Sequence, residues 1–345
     1  MSGALRWGIL GTGNIARQFC AAMRTSQRGV LAAVGSRSAE IAAAFARDHS
    51  IPAAHGSYDA LLADATVDAV YVSLPNSLHR DWTIRALQAG KHVLCEKPVA
   101  VDAQEASEMF DAAQQAGRLL AEAFMYRSHP LTDAVLATVH GGEIGHVKLV
   151  RSSFCYRTTK IAGNIRFDAR LGGGALMDIG CYCISLSRVV ASGEPVAIHA
   201  AGILHEGGVD ELSAGVLRFP GGLVASFTCG MSVQADNTAY ICGTEGYIVV
   251  PIPWMPPTRQ ATYTISRGTP PRMDGASKPA PPPRQVRTVD ADRDLYALEA
   301  DEFAAAVLDG KPPRVSRNDT IGNMRVLDEM RKQIGVPIHA SRQPI

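Results

Sequence analysis

The sequence predicts an α/β protein: a doubly wound parallel sheet at the N-terminus, then an α+β domain built on a mostly antiparallel open sheet. Three observations predict it. Short β-branched runs alternate with helical patterns as far as Phe124, which is the signature of βαβ units. After about Met125 the pattern changes to successive strand-like runs with few helices between them. The chain has 345 residues, and at roughly 150 residues per domain that makes two domains. The expected division is 1–125 and 126–345, with the closing helices packing back on the first part.

Each element has a local reason. Leu5 to Leu10 reads as a strand, followed by a helix from about Asn14 to Arg24. Val30 to Val34 and Ala39 to Asp48 repeat the unit. Asp68 to Leu74 is an apolar buried strand, and Asp81 to Ala89 a helix that Gly90 stops. His92 to Cys95 is the next strand, Asp102 caps a helix running to Gln115, and Leu119 to Phe124 closes the sheet. In the second part, helices are expected near Leu131 to Val139 and Met177 to Ser192, with strands at 147–154, 196–204, 212–219, 223–229, 238–242 and 247–250. They read as an antiparallel meander with helices on one face. Residues 251–283 hold ten of the chain's 20 prolines, which excludes a helix and weakens any central strand, so an extended surface excursion is expected there. Helices at about Leu295 to Leu308 and Thr320 to Ile334 end the chain.

Composition excludes several classes. With 34 Lys+Arg against 33 Asp+Glu the net charge is +1, so the basic excess of a nucleic-acid or anionic-membrane binder is missing. No uninterrupted apolar run approaches the roughly 18 residues that span a bilayer. Strand one starts at once, leaving no room for an export signal. The seven cysteines are odd in number and lack a C-x-x-C pair, so they read as reduced, mostly buried thiols of a cytoplasmic protein. Ten histidines without an H-x-x-x-H pair give no metal site. His129, before Pro130, reads as a helix-entry residue.

The first strand-to-helix turn carries chemistry. Gly11-Thr12-Gly13-Asn14-Ile15-Ala16 is G-x-G-x-x-A. Gly11 makes the tight turn, Gly13 lets a pyrophosphate approach the backbone, and Ala16 lets the helix pack on the strand. The free N–H groups of the helix start then face the phosphates. A dinucleotide site follows from the motif's position at the first strand and helix of an alternating set. Strand two ends in Ser36-Arg37-Ser38 rather than in the Asp or Glu that accepts from an NAD ribose. Serine hydroxyls and a guanidinium suit a 2′-phosphate, so NADP is expected over NAD. A loop arginine beside the next helix cap is the other reading of Arg37.

Glu96-Lys97-Pro98 follows a strand of the parallel sheet, at the end where such sheets place ligands. Further on, the triple glycine Gly172–Gly174 leads through Ala175-Leu176-Met177 to Asp178 and Tyr182, which are i and i+4 on one helix face. An acid and a phenol behind a flexible glycine run suit a pocket floor. An N-terminal Asp favoured by the helix dipole plus a core Tyr is the structural alternative.

These motifs, with Leu74-Pro75-Asn76-Ser77-Leu78-His79, resemble the Gfo/Idh/MocA oxidoreductase family over essentially the whole chain. Asp178-Ile-Gly-Cys-Tyr182 and Glu122-Ala-Phe-Met-Tyr-Arg-Ser-His-Pro130 are similar to its glucose–fructose oxidoreductase, NADP-dependent D-xylose dehydrogenase and dimeric dihydrodiol dehydrogenase branch. The resemblance implies a Rossmann domain, then a sheet whose open face joins subunits into a dimer or tetramer. It implies that Lys97 contacts the nicotinamide ribose and substrate hydroxyl, Asp178 orients substrate, and Tyr182 transfers the proton. Leu74, Pro75, Asn76 and His79 would line the cofactor, and Glu96 would brace its nicotinamide end. The proline-rich stretch is longer than this branch leads one to expect.

A free phenol has a pKa near 10, too high for a base at neutral pH, so Lys97, with the positive nicotinamide ring of NADP⁺, is expected to lower that of Tyr182. Tyr156, Arg157 and Arg166 stand as further substrate-hydroxyl donors, with an exposed-loop role equally open. The expected activity is NADP-linked hydride transfer to or from a sugar, cyclic polyol or dihydrodiol. Two alternatives are a sugar–sugar oxidoreductase with tightly bound NADP(H) and a non-catalytic dinucleotide sensor.

Overall fold

Trp7 shows why the first strand sits at the centre. It is fully buried and its ring meets Phe19 at 5.5 Å and Phe303 at 5.2 Å, so strand, first helix and a C-terminal helix converge on one indole. In this computed structural model, which describes residues 3–268 and 283–338, that strand is β1 (Leu5–Leu10). It is followed by α1 (Asn14–Ala22), β2 (Gly29–Gly35), α2 (Ala39–His49), β3 (Ala53–His55) and α3 (Tyr58–Leu62). Then come β4 (Ala69–Val72), α4 (His79–Gln88), β5 (His92–Glu96), α5 (Ala103–Ala116) and β6 (Leu120–Ala123). All six strands are parallel in the order β3-β2-β1-β4-β5-β6. The order reverses between β1 and β4, and a crevice opens past their C-terminal ends at such a switch point.

The expected caps form. Asp102 accepts from the Glu105 N–H at 2.8 Å, and His129 Nδ1 accepts from the Leu131 N–H at 3.0 Å to start the next helix. The short pair β3 and α3 has no counterpart in the sequence reading. Three and five residues are too few to show a period, although Ser57 caps α3 through the Ala60 N–H at 3.1 Å.

The second part contains α6 (Pro130–His140), β7 (Val147–Cys155), α7 (Cys181–Ala191), β8 (Ala197–Leu204), β9 (Asp210–Arg218) and β10 (Val224–Gly230). It continues with β11 (Ala239–Gly243), β12 (Gly246–Val250), β13 (Ala261–Arg267) and β14 (Arg284–Val289). The helices α8 (Leu295–Asp309) and α9 (Arg317–Gln333) end it. Its sheet runs β14-β13-β12-β11-β7-β10-β9-β8 and is antiparallel except where β7 lies parallel to β10. The expected simple meander is therefore split, with β7 inserted between two meanders. The proline-rich stretch also needs correcting. Its proline-free middle forms β13, an interior strand paired on both sides, because the ladder requires N–H groups only where residues 261–267 supply them. Residues 269–282 lie outside the described part.

Helices cover one face of this sheet; the other is open, with a hollow of about 670 Å³ edged by Arg151, Val216, Thr228 and Tyr240. Residues 169–191 amend the expectation about spanning length. They are long and apolar enough to cross a bilayer, but 83% of that window is buried in the fold, as a core helix is.

Candidate active site

The crevice beyond β1 and β4 has a volume of about 750 Å³ and is lined from both parts of the chain. Gly11 adopts φ +103°, and a Cβ there would press on the Ser73 carbonyl, so the turn requires glycine. Gly13 is different: nothing lies within 4 Å of the place its Cβ would occupy. That space opens on the start of α1, which has no side-chain cap. Phosphates suit the place for both reasons. Thr12, Asn14 and Ile15 line the same end, while Ala16 is buried beneath it.

Ser36, Arg37 and Ser38 line the crevice at the end of β2. Arg37 is exposed there. Ser38 is already engaged, accepting from the Ile41 N–H at 3.3 Å and donating to Glu40 at 2.6 Å. The Arg37 guanidinium meets the Tyr58 hydroxyl, and as the one cation of the three it is the group suited to an anion.

Leu74 and Pro75 form the opposite wall. His79 is fully buried, with its ring nitrogens 2.8 Å from the Leu74 carbonyl and 2.9 Å from that of Pro98. Burial lowers its pKa. Its polar atoms thus hold the wall together and do not face the crevice. Asn76 donates to the Gly172 carbonyl at 2.8 Å and ties this wall to the glycine loop. Glu96 accepts from the Tyr71 hydroxyl and from the Lys97 N–H at 3.1 Å, and burial raises its pKa.

Lys97, Asp178 and Tyr182 come together. Lys97 Nζ donates to the Asp178 carbonyl at 2.6 Å, lies 3.4 Å from its carboxylate, and sits 5.0 Å from the centroid of the Tyr182 ring. The helix here begins as a π turn over Leu176–Gly180, where a regular α-helix was expected. Such a turn is common at functional sites. Here it presents the Asp178 carbonyl to the ammonium. Burial opposes both charges, but the pair more than offsets it: the Lys97 pKa is raised and that of Asp178 lowered, so both stay ionised.

Two further residues complete the cluster. The Tyr156 hydroxyl donates to Asp178 at 2.7 Å and Arg166 Nε at 2.8 Å, both to the same oxygen. Arg157, by contrast, pairs through its backbone with Ser232 and is not among the residues lining the crevice. In the protein by itself the Tyr182 pKa is raised, not lowered. Burial, followed by the charge of Glu96, pushes it well above the ordinary value, and the Lys97 ammonium lies over the ring. That hydroxyl donates to Met125 Sδ at 3.3 Å. The ring is fixed edge-on between Phe124 and Phe154, both at 5.3 Å, with Trp254 at 6.0 Å.

The glycine run is tight, and the expectation of flexibility is corrected. A Cβ on Gly173 would strike the Arg166 carbonyl, and one on Gly174 (φ +116°) the Asp210 carboxylate, which also accepts from the Leu176 N–H at 2.9 Å. Gly174→Ala is accordingly expected to cost about 1–3 kcal/mol of stability, the usual range for a strained backbone position. Thermal unfolding against wild type measures it, and an unchanged midpoint would contradict the crowding.

Sequence reasoning missed Met125, Phe154, Met255 and Tyr296 as lining residues. Met125 stood inside a quoted motif. Met255 and Tyr296 gave no local signal, because only the return of the chain across the first sheet brings them here.

Comparison with known proteins covers both parts of the chain. The family model described as "Oxidoreductase family, NAD-binding Rossmann fold" (GFO_IDH_MocA) matches residues 5–124, and the "GFO/IDH/MocA C-terminal domain" matches residues 133–249. The chain is 37% identical over 327 residues to D-xylose 1-dehydrogenase (NADP(+)) 2 of Haloferax volcanii, covering 94% of this chain and 95% of that one. It is 35% identical over 339 residues to trans-1,2-dihydrobenzene-1,2-diol dehydrogenase of Danio rerio, covering 96% and 98%. A solved 3-ketoreductase from Actinomadura kijaniata, in complex with NADP and TDP-benzene, superposes with a TM-score of 0.85 at 31% identity, covering 96% and 98%.

Proposed function

The chain belongs to the Gfo/Idh/MocA oxidoreductase family, and from that premise we propose that it is an NADP-dependent dehydrogenase or reductase of a sugar, cyclic polyol or dihydrodiol. The observation that carries the reading is the crevice itself. An anion cradle at Gly11–Ile15, the exposed Arg37 guanidinium beside Tyr58 and the Lys97–Asp178–Tyr182 cluster all line one space. Residues 1–125 would bind the nucleotide and 126–345 would contribute the substrate side.

The open space over Gly13 and the uncapped start of α1 fit a dinucleotide pyrophosphate. When bound, the nicotinamide gives or takes the hydride. The protein orients the substrate and handles its proton. Asp178, held ionised by Lys97 and Arg166, accepts from a substrate hydroxyl and sets its orientation. The Lys97 ammonium stabilises negative charge building on the reacting oxygen. Tyr182 transfers the proton, and with its pKa raised it stands ready as a donor toward a carbonyl. Arg166 and Tyr156 hold Asp178 in place and border the substrate side.

Following NADPH absorbance over a panel of aldoses, polyols and dihydrodiols, with NAD⁺ as control, tests the whole reading; no turnover on any of them refutes it. Arg37→Glu is expected to lower kcat/KM for NADP⁺ by about 10- to 100-fold, the worth of a hydrogen bond to a charged group, with NAD⁺ affected far less. Equal losses with both nucleotides would remove Arg37 from the 2′-phosphate. The proposal also pairs chains through the open face of the second sheet, which sedimentation of the purified protein reads directly.

A further inference from the structure

Glu122 opens the Glu122–Pro130 segment and has no part in the mechanism above. It is 2% exposed, and its Oε1 accepts the Val99 N–H at 3.0 Å. Val99 stands two residues beyond Lys97, so the loop presenting the ammonium is tied by Glu96 at one end and by Glu122 at the other. The two carboxyls face different spaces. Glu96 lines the crevice, whereas Glu122 lines a hollow of about 20 Å³ shared with Glu299, Glu302 and Arg314. That is room for one water.

We propose that Glu122 is a positioning residue for Lys97: its carboxyl holds the Val99 amide, and gain or loss of its proton slackens or tightens the lysine loop. The inference rests on Lys97 acting at the reacting carbon. Oε2 makes no hydrogen bond of good geometry among the described residues, although the Thr320 hydroxyl lies close enough to favour the ionised form. Burial pushes the carboxyl up to about 7; Thr320 and the Val99 amide draw it down, Asp319 raises it and Arg188 lowers it.

Other titratable groups pack around Glu122. Burial keeps the Cys95 and Cys181 thiols protonated and raises the pKa of the Glu299 carboxyl as well. Arg188 is paired with Glu194 and Asp319, and Arg314 with Asp133 and Glu302. Glu122 is the member of this cluster bonded to the lysine loop. The sign follows from the charge. Below pH 7 a neutral carboxyl holds Val99; above it, a carboxylate makes a charge-assisted bond about twice as strong. The loop stiffens as pH rises through about 7, whereas the fold gives up stability earlier, from the free glutamate value of about 4.3 up to that midpoint, because the unfolded chain ionises this glutamate at lower pH.

The full-length protein labelled with ¹⁵N-valine tests this without substrate. The Val99 amide resonance is expected to move downfield with a midpoint near 7 and to stay flat in Glu122→Gln, which keeps an acceptor oxygen. Wild-type kcat/KM for carbonyl reduction, where Tyr182 adds no pH limb near neutrality, is expected to rise about three- to tenfold across that midpoint as the bond becomes charge-assisted, and the Gln variant to lose the rise. Thr320→Val is expected to move the Val99 midpoint upward, and serves if the Gln variant does not fold. A Val99 amide that ignores pH, or a rise that survives in Glu122→Gln, overturns the proposal. Absence of turnover with every substrate would count against the proposed function alone, since the amide titration needs none.

Discussion

Lys97→Met is expected to lower kcat/KM by about 100- to 1,000-fold, the loss found when one donor to a developing oxyanion is removed. The ammonium sits at the junction of the site, 2.6 Å from the Asp178 carbonyl and over the Tyr182 ring. It is nearly buried, with 14% of its side chain exposed, so its field on a reacting oxygen is little screened. Methionine keeps the length and apolar stem and deletes the charge. Removing one partner of a buried pair normally costs several kcal/mol because the other charge is stranded. Here Asp178 retains Arg166 at 2.8 Å and the Tyr156 hydroxyl at 2.7 Å, so the thermal midpoint is expected to fall only modestly. A planar guanidinium cannot reproduce a compact ammonium on one backbone carbonyl, and Lys97→Arg is expected to recover little. Steady-state kinetics beside a thermal melt separates the two effects. A Met variant within tenfold of wild type would take the charge out of the mechanism.

The first sheet was legible because each βαβ unit states itself locally. Asp102, Gly90 and His129 mark helix ends by chemistry that needs no tertiary context. What escaped is what depends on distant chain. β13 lies between prolines and is held by pairing with β12 and β14, which no residue within 261–267 announces. The insertion of β7 parallel to β10 is equally silent, since a strand's sequence does not name its neighbour. In the site, the spacing of Asp178 and Tyr182 was enough to place them together, and the family resemblance supplied Lys97. The electrostatics were not readable. Whether a cation lowers a phenol's pKa depends on which part of the ring it faces, and here burial outweighs it. The triple glycine misled for a related reason: composition speaks of flexibility, whereas Gly173 and Gly174 are there because Arg166 and Asp210 leave no room for a Cβ.

Tyr182→Phe separates the two candidate proton carriers. Its hydroxyl has a single hydrogen bond among the described residues, to the Met125 sulfur at 3.3 Å, and a thioether is a weak acceptor. Deleting it is expected to cost less than about 1 kcal/mol of stability, and the ring stays fixed by Phe124, Phe154 and Trp254. Nucleotide affinity should be unchanged within about twofold, since the phosphate end of the crevice lies on α1. Turnover is expected to fall about 100- to 1,000-fold, within the usual contribution of a positioned acid or base. The pH dependence adds a second reading. A phenol whose pKa is raised by burial keeps its proton beyond the ordinary value of about 10. Tyr182 therefore contributes no falling limb to carbonyl reduction near neutrality. Alcohol oxidation needs the deprotonated form and is expected to climb with pH in wild type but not in the Phe variant. If Tyr182→Phe keeps turnover within tenfold and the same climb, the proton belongs to Lys97, which already stands on the Asp178 carbonyl with its own proton held by that pairing.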